Sequence, residues 1–237
     1  MKLIYQGKTK DVYANDDGTI TLKLKDDATG KDGVFDPGEN AVGLSIEGLG
    51  RESLRLSIHY FELMHENNIP THYISANLSE TDISEAEMTV KSVKPFGVNN
   101  IEFICRRKAD GSFLRRYGAY TSFGADLNYF VEVTLKDDSR QDPPISKDAL
   151  VTLGIMTSDE YNTCEELTRK ATKIIADDLE KKGLELFDIK FEFGKANGEI
   201  ILIDEFSAGI MRVYKNGEKV APLDLTTLLL DKTAQRP

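Results

Sequence analysis

Residues 186–207, LFDIKFEFGKANGEIILIDEFS, decide the fold. Asn197-Gly198 supplies two residues that tolerate positive φ, as a tight hairpin turn requires, so two antiparallel strands are predicted on either side. In the first strand Phe187, Ile189, Phe191 and Phe193 alternate with Asp188, Lys190 and Glu192. Side chains alternate faces along a strand, so the apolar set is expected in a core and the charged set on one shared face. The second strand is apolar until it ends in Asp204-Glu205. Carboxylates and a lysine gathered at a strand end can hold a divalent cation and a phosphate together. A sheet with one solvated, charged face has the same pattern.

Upstream of the hairpin the chain reads as strands, helix, strands, helix. Strands are predicted at 3–5, 11–14, 19–25, 71–76, 88–94, 101–106 and 129–135, with a turn at 15–18. Residues 26–50 are rich in Gly and Asp and are expected to form a functional loop. Leu54, Ile58, Phe61 and Met64 recur at helical spacing, which predicts a helix from Ser53 to about Glu66 that Asn67, Asn68 and Pro70 stop. A short helix is expected over 146–153. Thr157-Ser158-Asp159-Glu160 fits a capping box that opens a long helix, which Gly183 is placed to end. Lys215-Asn216-Gly217-Glu218 reads as a turn in a C-terminal tail. This order predicts an α+β protein with antiparallel sheets. A small β-rich N-terminal lobe, 1–95, and a larger mixed lobe, 96–237, are expected.

The 237 residues suffice for two lobes with a proper core. No run approaches the roughly 20 apolar residues that span a bilayer, and the N-terminus has no apolar stretch of the kind a secretory signal needs. Cys105 and Cys164 give neither a disulfide framework nor metal spacing, which fits a cytoplasmic protein. His59, His65 and His72 show no ligand spacing. The net charge of −10 disfavours nonspecific nucleic-acid binding, which rests on phosphate neutralisation. It also makes local basic clusters informative. One is Gly7-Lys8-Thr9-Lys10 between two strands, where glycine lets backbone approach a phosphate. Another is Arg106-Arg107-Lys108 followed by Asp110-Gly111-Ser112 and Arg115-Arg116, where guanidinium groups beside Gly-Ser suit a phosphate monoester or carboxylates.

Taken in order, these motifs resemble the SAICAR synthetase family. Residues 7–13, GKTKDVY, resemble the family's GKxKxVY; residues 26–33, DDATGKDG, its DDATAxDG. Arg106 with residues 109–116, ADGSFLRR, resembles VRNxxAGSxxKR, and residues 136–143, KDDSRQDP, resemble KxDxxxDP. FDIKFEFG and ILIDEFS resemble VDFKLEFG and LxDExS. The resemblance implies a two-lobed α+β fold, distantly like protein kinases, with an ATP cleft between the lobes. It implies a ligase that joins L-aspartate to carboxyaminoimidazole ribotide (CAIR) through an acyl phosphate, using ATP and Mg²⁺ in purine biosynthesis. By motif, Lys8, Lys10 and Lys190 would contact ATP phosphates, and Glu192 and Asp204 would hold Mg²⁺ with ATP. Asp188 would stand at the reacting centre. Arg106, Ser112 and Arg212 would bind the ribotide, with Asp32 and Asp142 near the metal or the substrates. Small molecules are the implied partners, with no membrane or nucleic acid, and a homodimer is common in the family.

The chain departs from the pattern where the family's Asn is Arg107. It departs again where SPDxxRxW reads Ser207-Ala208-Gly209-Ile210-Met211-Arg212-Val213-Tyr214, followed by Lys215 in place of Asp. These departures leave two alternatives: a ligase or small-molecule kinase with another acceptor, or an inactive nucleotide-binding paralogue.

Overall fold

The computed structural model describes residues 1–39, 41–78 and 86–231. Strands β1 (Lys2–Gln6), β2 (Lys10–Ala14) and β3 (Ile20–Leu24) form an antiparallel meander. Three short strands follow, β4 (Asp27–Lys31), β5 (Val34–Phe35) and β6 (Val42–Ser45), and then helix α1 (Leu49–Glu66). Strands β7 (Tyr73–Leu78) and β8 (Ala86–Val90) complete a five-stranded sheet of order β1-β2-β3-β8-β7.

The chain then enters a second sheet through β9 (Lys94–Pro95) and β10 (Ile101–Lys108), followed by the short helix α2 (Gly111–Tyr117) and β11 (Asp126–Leu135). Helices α3 (Lys147–Thr152) and α4 (Ser158–Glu180) lead to β12 (Glu185–Ala196) and β13 (Glu199–Ile203). β14 (Met211–Lys215), β15 (Glu218–Lys219) and α5 (Pro222–Leu230) close the described chain. The sheet runs β11-β10-β12-β14-β15, and β13 and β9 also pair with β12. Every ladder in both sheets is antiparallel.

The hairpin forms as its residues dictate: Asn197 and Gly198 both take positive φ, 51° and 84°, between β12 and β13. Phe191 and Phe193 enter the core, where Phe193 meets Phe103 of β10 edge-on at 5.5 Å. Helix α4 lays Cys164, Ala171, Ile175 and Leu179 on that face. Its capping box is complete: Thr157 Oγ1 accepts the Glu160 N–H at 3.2 Å, and Glu160 Oε2 accepts the Thr157 N–H at 2.8 Å. Each fully buried Phe, Ile or Leu side chain here contributes about 1.5–3 kcal/mol.

Several expectations are corrected. Residues 26–50 are not one loop: β4, β5 and β6 form a three-stranded sheet within them, and Asn40 lies outside the described residues. Helix α1 starts at Leu49, before Ser53. Asp26 caps it from a distance, its carboxylate accepting the N–H groups of Gly48 at 3.0 Å and Gly50 at 2.9 Å. The segment after residue 108 contains α2, and Asp110 caps it by accepting the Gly111 N–H. The expected tail contains α5, whose Leu225 and Leu229 are buried and which packs on α1; residues 232–237 lie outside the described residues. Phe187 leaves the main core. The β12–β14 register slips between Leu186 and Asp188, a bulge that turns Phe187 onto Tyr214 and Phe123.

Candidate active site

A cleft of about 940 Å³ is lined by residues of both sheets. Its floor is the charged face of β12 with that of its neighbours. Register decides which side chains meet. Asp188 is opposite Arg106 on β10 and opposite Arg212 on β14, so one carboxylate lies between two guanidinium groups. Arg106 NH1 donates to Asp188 Oδ2 at 2.8 Å, and Arg212 NH1 donates to the same oxygen at 3.0 Å. Arg106 also donates through Nε to Glu132 on β11 at 2.8 Å and through NH2 to Ser112 Oγ at 2.9 Å. Its side chain is 1% exposed, so every N–H needs such an acceptor. Arg212 reaches Asp36 between β5 and β6 at 3.1 Å, which bridges the two parts of the cleft.

Four residues further along β12 the chemistry changes to lysines. Glu192 is directly opposite Glu102 of β10, a repulsive cross-strand pair that needs counter-charge. Lys190 Nζ donates to Glu102 Oε1 at 2.6 Å, and Lys136 Nζ donates to Glu192 Oε1 at 2.5 Å. Asn100 and Thr134 donate to the remaining oxygens, Glu192 Oε2 and Glu102 Oε2, both at 2.9 Å. Asp204, just beyond β13, has φ 78°. Its carboxylate lies 2.5 Å from Lys10 Nζ, and Lys10 also donates to Glu205. Buried His72 fixes this kink, its Nε2 lying 2.9 Å from the Asp204 carbonyl oxygen.

Burial opposes ionisation of Asp204, but the charges of Lys10 and Lys136 outweigh it and hold the carboxyl well below its usual range. Burial and the Asp204 charge push Glu205 the other way, upward. Burial works against the charge on Lys10, Lys136 and Lys190, yet the surrounding carboxylates raise all three. The lysines therefore remain cationic at neutral pH. Burial lowers His72 to about 4, so it is neutral there.

Of the residues singled out in sequence, Lys8, Lys10, Arg106, Ser112, Asp142, Asp188, Lys190, Glu192, Asp204 and Arg212 all line the cleft. Lys8 donates to Asp138 across its mouth at 2.7 Å. Asp32 does not line the cleft: it occupies the turn between β4 and β5 with φ 52° and is exposed. Arg107, one residue from Arg106, points to the opposite face, where it pairs with Glu180 of α4 at 2.7 Å. Glu102, Glu132, Lys136, Asn100, Asp36 and Asp110 complete the network without having been assigned a site role in sequence. Glu102 and Glu132 are revealed by their cross-strand partners Lys190 and Arg106, whereas Asn100, Lys136, Asp36 and Asp110 lie outside the strands and are joined to the network by the fold.

The donor set fits a hard divalent cation. Glu192 and Asp204 offer carboxylate oxygens in a cleft, and both charges act on Lys136. Among the described residues no group of three His, Cys, Asp or Glu could hold a metal alone. A cation here would complete its shell with substrate phosphates and water, the usual arrangement for Mg²⁺.

Comparison with known proteins supplies independent findings. Residues 3–236 match a family model described as SAICAR synthetase. A phosphoribosylaminoimidazole-succinocarboxamide synthase of Clostridium tetani is 54% identical over 233 residues, covering 98% of this chain and 100% of the relative. A solved SAICAR synthetase in complex with ADP superposes with a TM-score of 0.81 at 28% identity, covering 98% of each chain. That of Pyrococcus horikoshii gives 0.79 at 26% identity, covering 96% of this chain and 99% of the other.

Proposed function

Because the chain belongs to the SAICAR synthetase family, we propose that it joins L-aspartate to carboxyaminoimidazole ribotide at the expense of ATP, forming SAICAR, ADP and phosphate. The observation that carries the reading is the division of one strand face. The Arg106–Asp188–Arg212 row suits an anionic ribotide, and the lysine–carboxylate row of Lys190, Glu192 and Asp204 suits a nucleotide's phosphates.

A carboxylate is a poor electrophile toward an amine. An oxygen of the ribotide carboxylate attacks the γ-phosphorus, the bond to the ADP oxygen breaks, and an acyl phosphate forms. The aspartate amine then attacks the acyl carbon, inorganic phosphate leaves with its electron pair, and the amine gives up a proton. Lys8, Lys10 and Lys190 neutralise phosphate charge during transfer, where catalysis is chiefly positioning and electrostatics. Mg²⁺, held by Glu192 and Asp204, would supply further neutralisation. Asp188 and Lys190 stand at the reacting centre. Arg106, Ser112 and Arg212 hold the ribotide, and Asp142 lies at the rim. Asp32, outside the cleft lining, keeps no role in this reading. We assign the nucleotide-covering part to residues 1–95 and the rest of the site to 96–237. A cytoplasmic homodimer acting on small molecules, not on nucleic acid or membranes, completes the proposal. Among the described residues no helix is long and apolar enough to cross a membrane.

The test is ADP release with Mg-ATP, the ribotide and L-aspartate, each omitted in turn. Turnover that needs all three is expected. ATP hydrolysis indifferent to the ribotide would point to another acceptor, and absence of nucleotide binding would remove the enzyme reading.

A further inference from the structure

The surroundings of Arg212 extend the ligase reading, on which this inference rests. Its side chain is 7% exposed, and backbone closes around it. A Cβ added at Gly111 would lie 2.6 Å from the guanidinium carbon, and one at Gly38 would lie 2.3 Å from NH2. The roll of the guanidinium therefore follows its acceptors. Asp188 takes NH1 and Asp36 takes NH2, while Asp110 Oδ2 lies 3.6 Å from Nε.

Asp110 is itself fixed. Its Oδ1 accepts the Gly111 N–H at 2.6 Å, and its Oδ2 accepts the Tyr214 hydroxyl at 2.9 Å. The Tyr214 ring is held in turn: it stacks on Phe187 with centroids 4.0 Å apart and planes at 26°, and it meets Phe123 edge-on at 5.7 Å. Tyr214 and Arg212 are two residues apart on β14, so they share a face. Burial and the Asp110 carboxylate push the phenol far above its usual range, so it remains a donor at any working pH.

We propose that Tyr214 is a positioning residue for ribotide recognition: its hydroxyl locks Asp110, and Asp110 sets the orientation of Arg212 and the start of the segment that carries Ser112. Tyr214 acts only through Asp110 and touches no substrate. The family pattern has Trp at this position. An indole presents its single N–H from a larger ring and from a different point than a phenol presents its O–H. In this chain the phenol–carboxylate contact sets the arginine.

Tyr214→Phe removes one oxygen and keeps the stacked ring. Steady-state kinetics with each substrate varied should show the ribotide KM raised about five- to tenfold, as expected for the net worth of one hydrogen bond, with the KM values for ATP and aspartate within about twofold. The melting temperature should fall by no more than a few degrees, as the loss of one hydrogen bond in a chain of this size predicts. Asp110→Asn keeps the helix-capping acceptor and should raise the same KM. In that background Tyr214→Phe should add less than about twofold, because coupled residues are not additive. NMR exchange of the Arg212 Nε–H should quicken in Tyr214→Phe, a readout that needs no turnover. An unchanged ribotide KM and unchanged exchange would overturn the proposal. So would an equal rise in all three KM values with a larger fall in melting temperature. Failure of the unaltered protein to turn over the three substrates counts against the ligase reading alone, and the exchange measurement still decides the role of Tyr214.

Discussion

The two ends of the β12 floor concentrate positive charge in a chain of net charge −10, and they do so with different cations. At the Asp188 end the cations are Arg106 and Arg212, each planar, buried and engaging several acceptors. At the Glu192 end they are Lys10, Lys136 and Lys190, compact charges seated against carboxylates. A guanidinium fixes the orientation of what it holds, whereas an ammonium neutralises charge with little directional demand. The arginine end is thus built for shape and the lysine end for charge. One departure from the family pattern falls on that division. Tyr214 supports the arginine end, whereas Lys10, Lys190, Glu192 and Asp204 keep the residues the motifs require.

The largest effect is expected from neutralising a carboxylate at the lysine end. Asp204→Asn should lower turnover by about a hundredfold or more, the scale of losing a preorganised electrostatic contact, with the fold intact by circular dichroism. Unchanged ADP release would take Asp204 out of the site. Next in size is Arg212→Lys, which keeps the charge and loses the fork. The ribotide KM should rise by about tenfold or more, with the ATP KM little changed. If lysine serves as well as arginine there, the contrast between the two ends has no functional meaning.

A third test concerns the anchor beneath Asp204. His72 is held at about 4 when folded, below its unfolded value of 6.5. Between those values the unfolded chain binds the extra proton, so stability rises with pH. The contribution is complete above about pH 6.5 and is lost as pH falls toward 4, by up to roughly 3 kcal/mol. His72→Gln should flatten the melting-temperature profile across that window, and parallel profiles would refute the assignment. The smallest effect is expected at Arg107, which pairs with Glu180 on the far face of the sheet. Arg107→Asn should leave every KM within about twofold, because its contacts are to Glu180, the Leu186 carbonyl and the Tyr129 ring, none of which lines the cleft. A selective change in the ribotide KM would show that the far face reaches the cleft.

How much of this could be read from the chain depends on range. The β12–β13 hairpin was legible because alternation and an Asn-Gly turn are local signals, and the capping box of α4 is equally local. The start of α1 was not, because its cap, Asp26, lies more than twenty residues upstream. Glu102 and Glu132 gave no signal in sequence, since their significance comes from standing beside Lys190 and Arg106 across strands. Phe187 misled for a subtler reason: period two predicts its face correctly only in an unbroken ladder, and the bulge before Asp188 breaks it.

Asp188, Lys190 and Glu192 occupy alternate positions of a single strand that is paired on both sides. A strand advances about 6.6–6.8 Å for every two residues, so β12 works as a graduated rule. The spacing between Asp188, Lys190 and Glu192 along the floor can change only in whole graduations. A single-residue insertion would turn the remaining marks to the wrong face. Variation in such a site must therefore collect off the rule, in elements that can move by fractions of an ångström. The turns around Asp36 and Asp110 lie outside the ladders, which is where a lineage could retune its acceptor without recalibrating its chemistry.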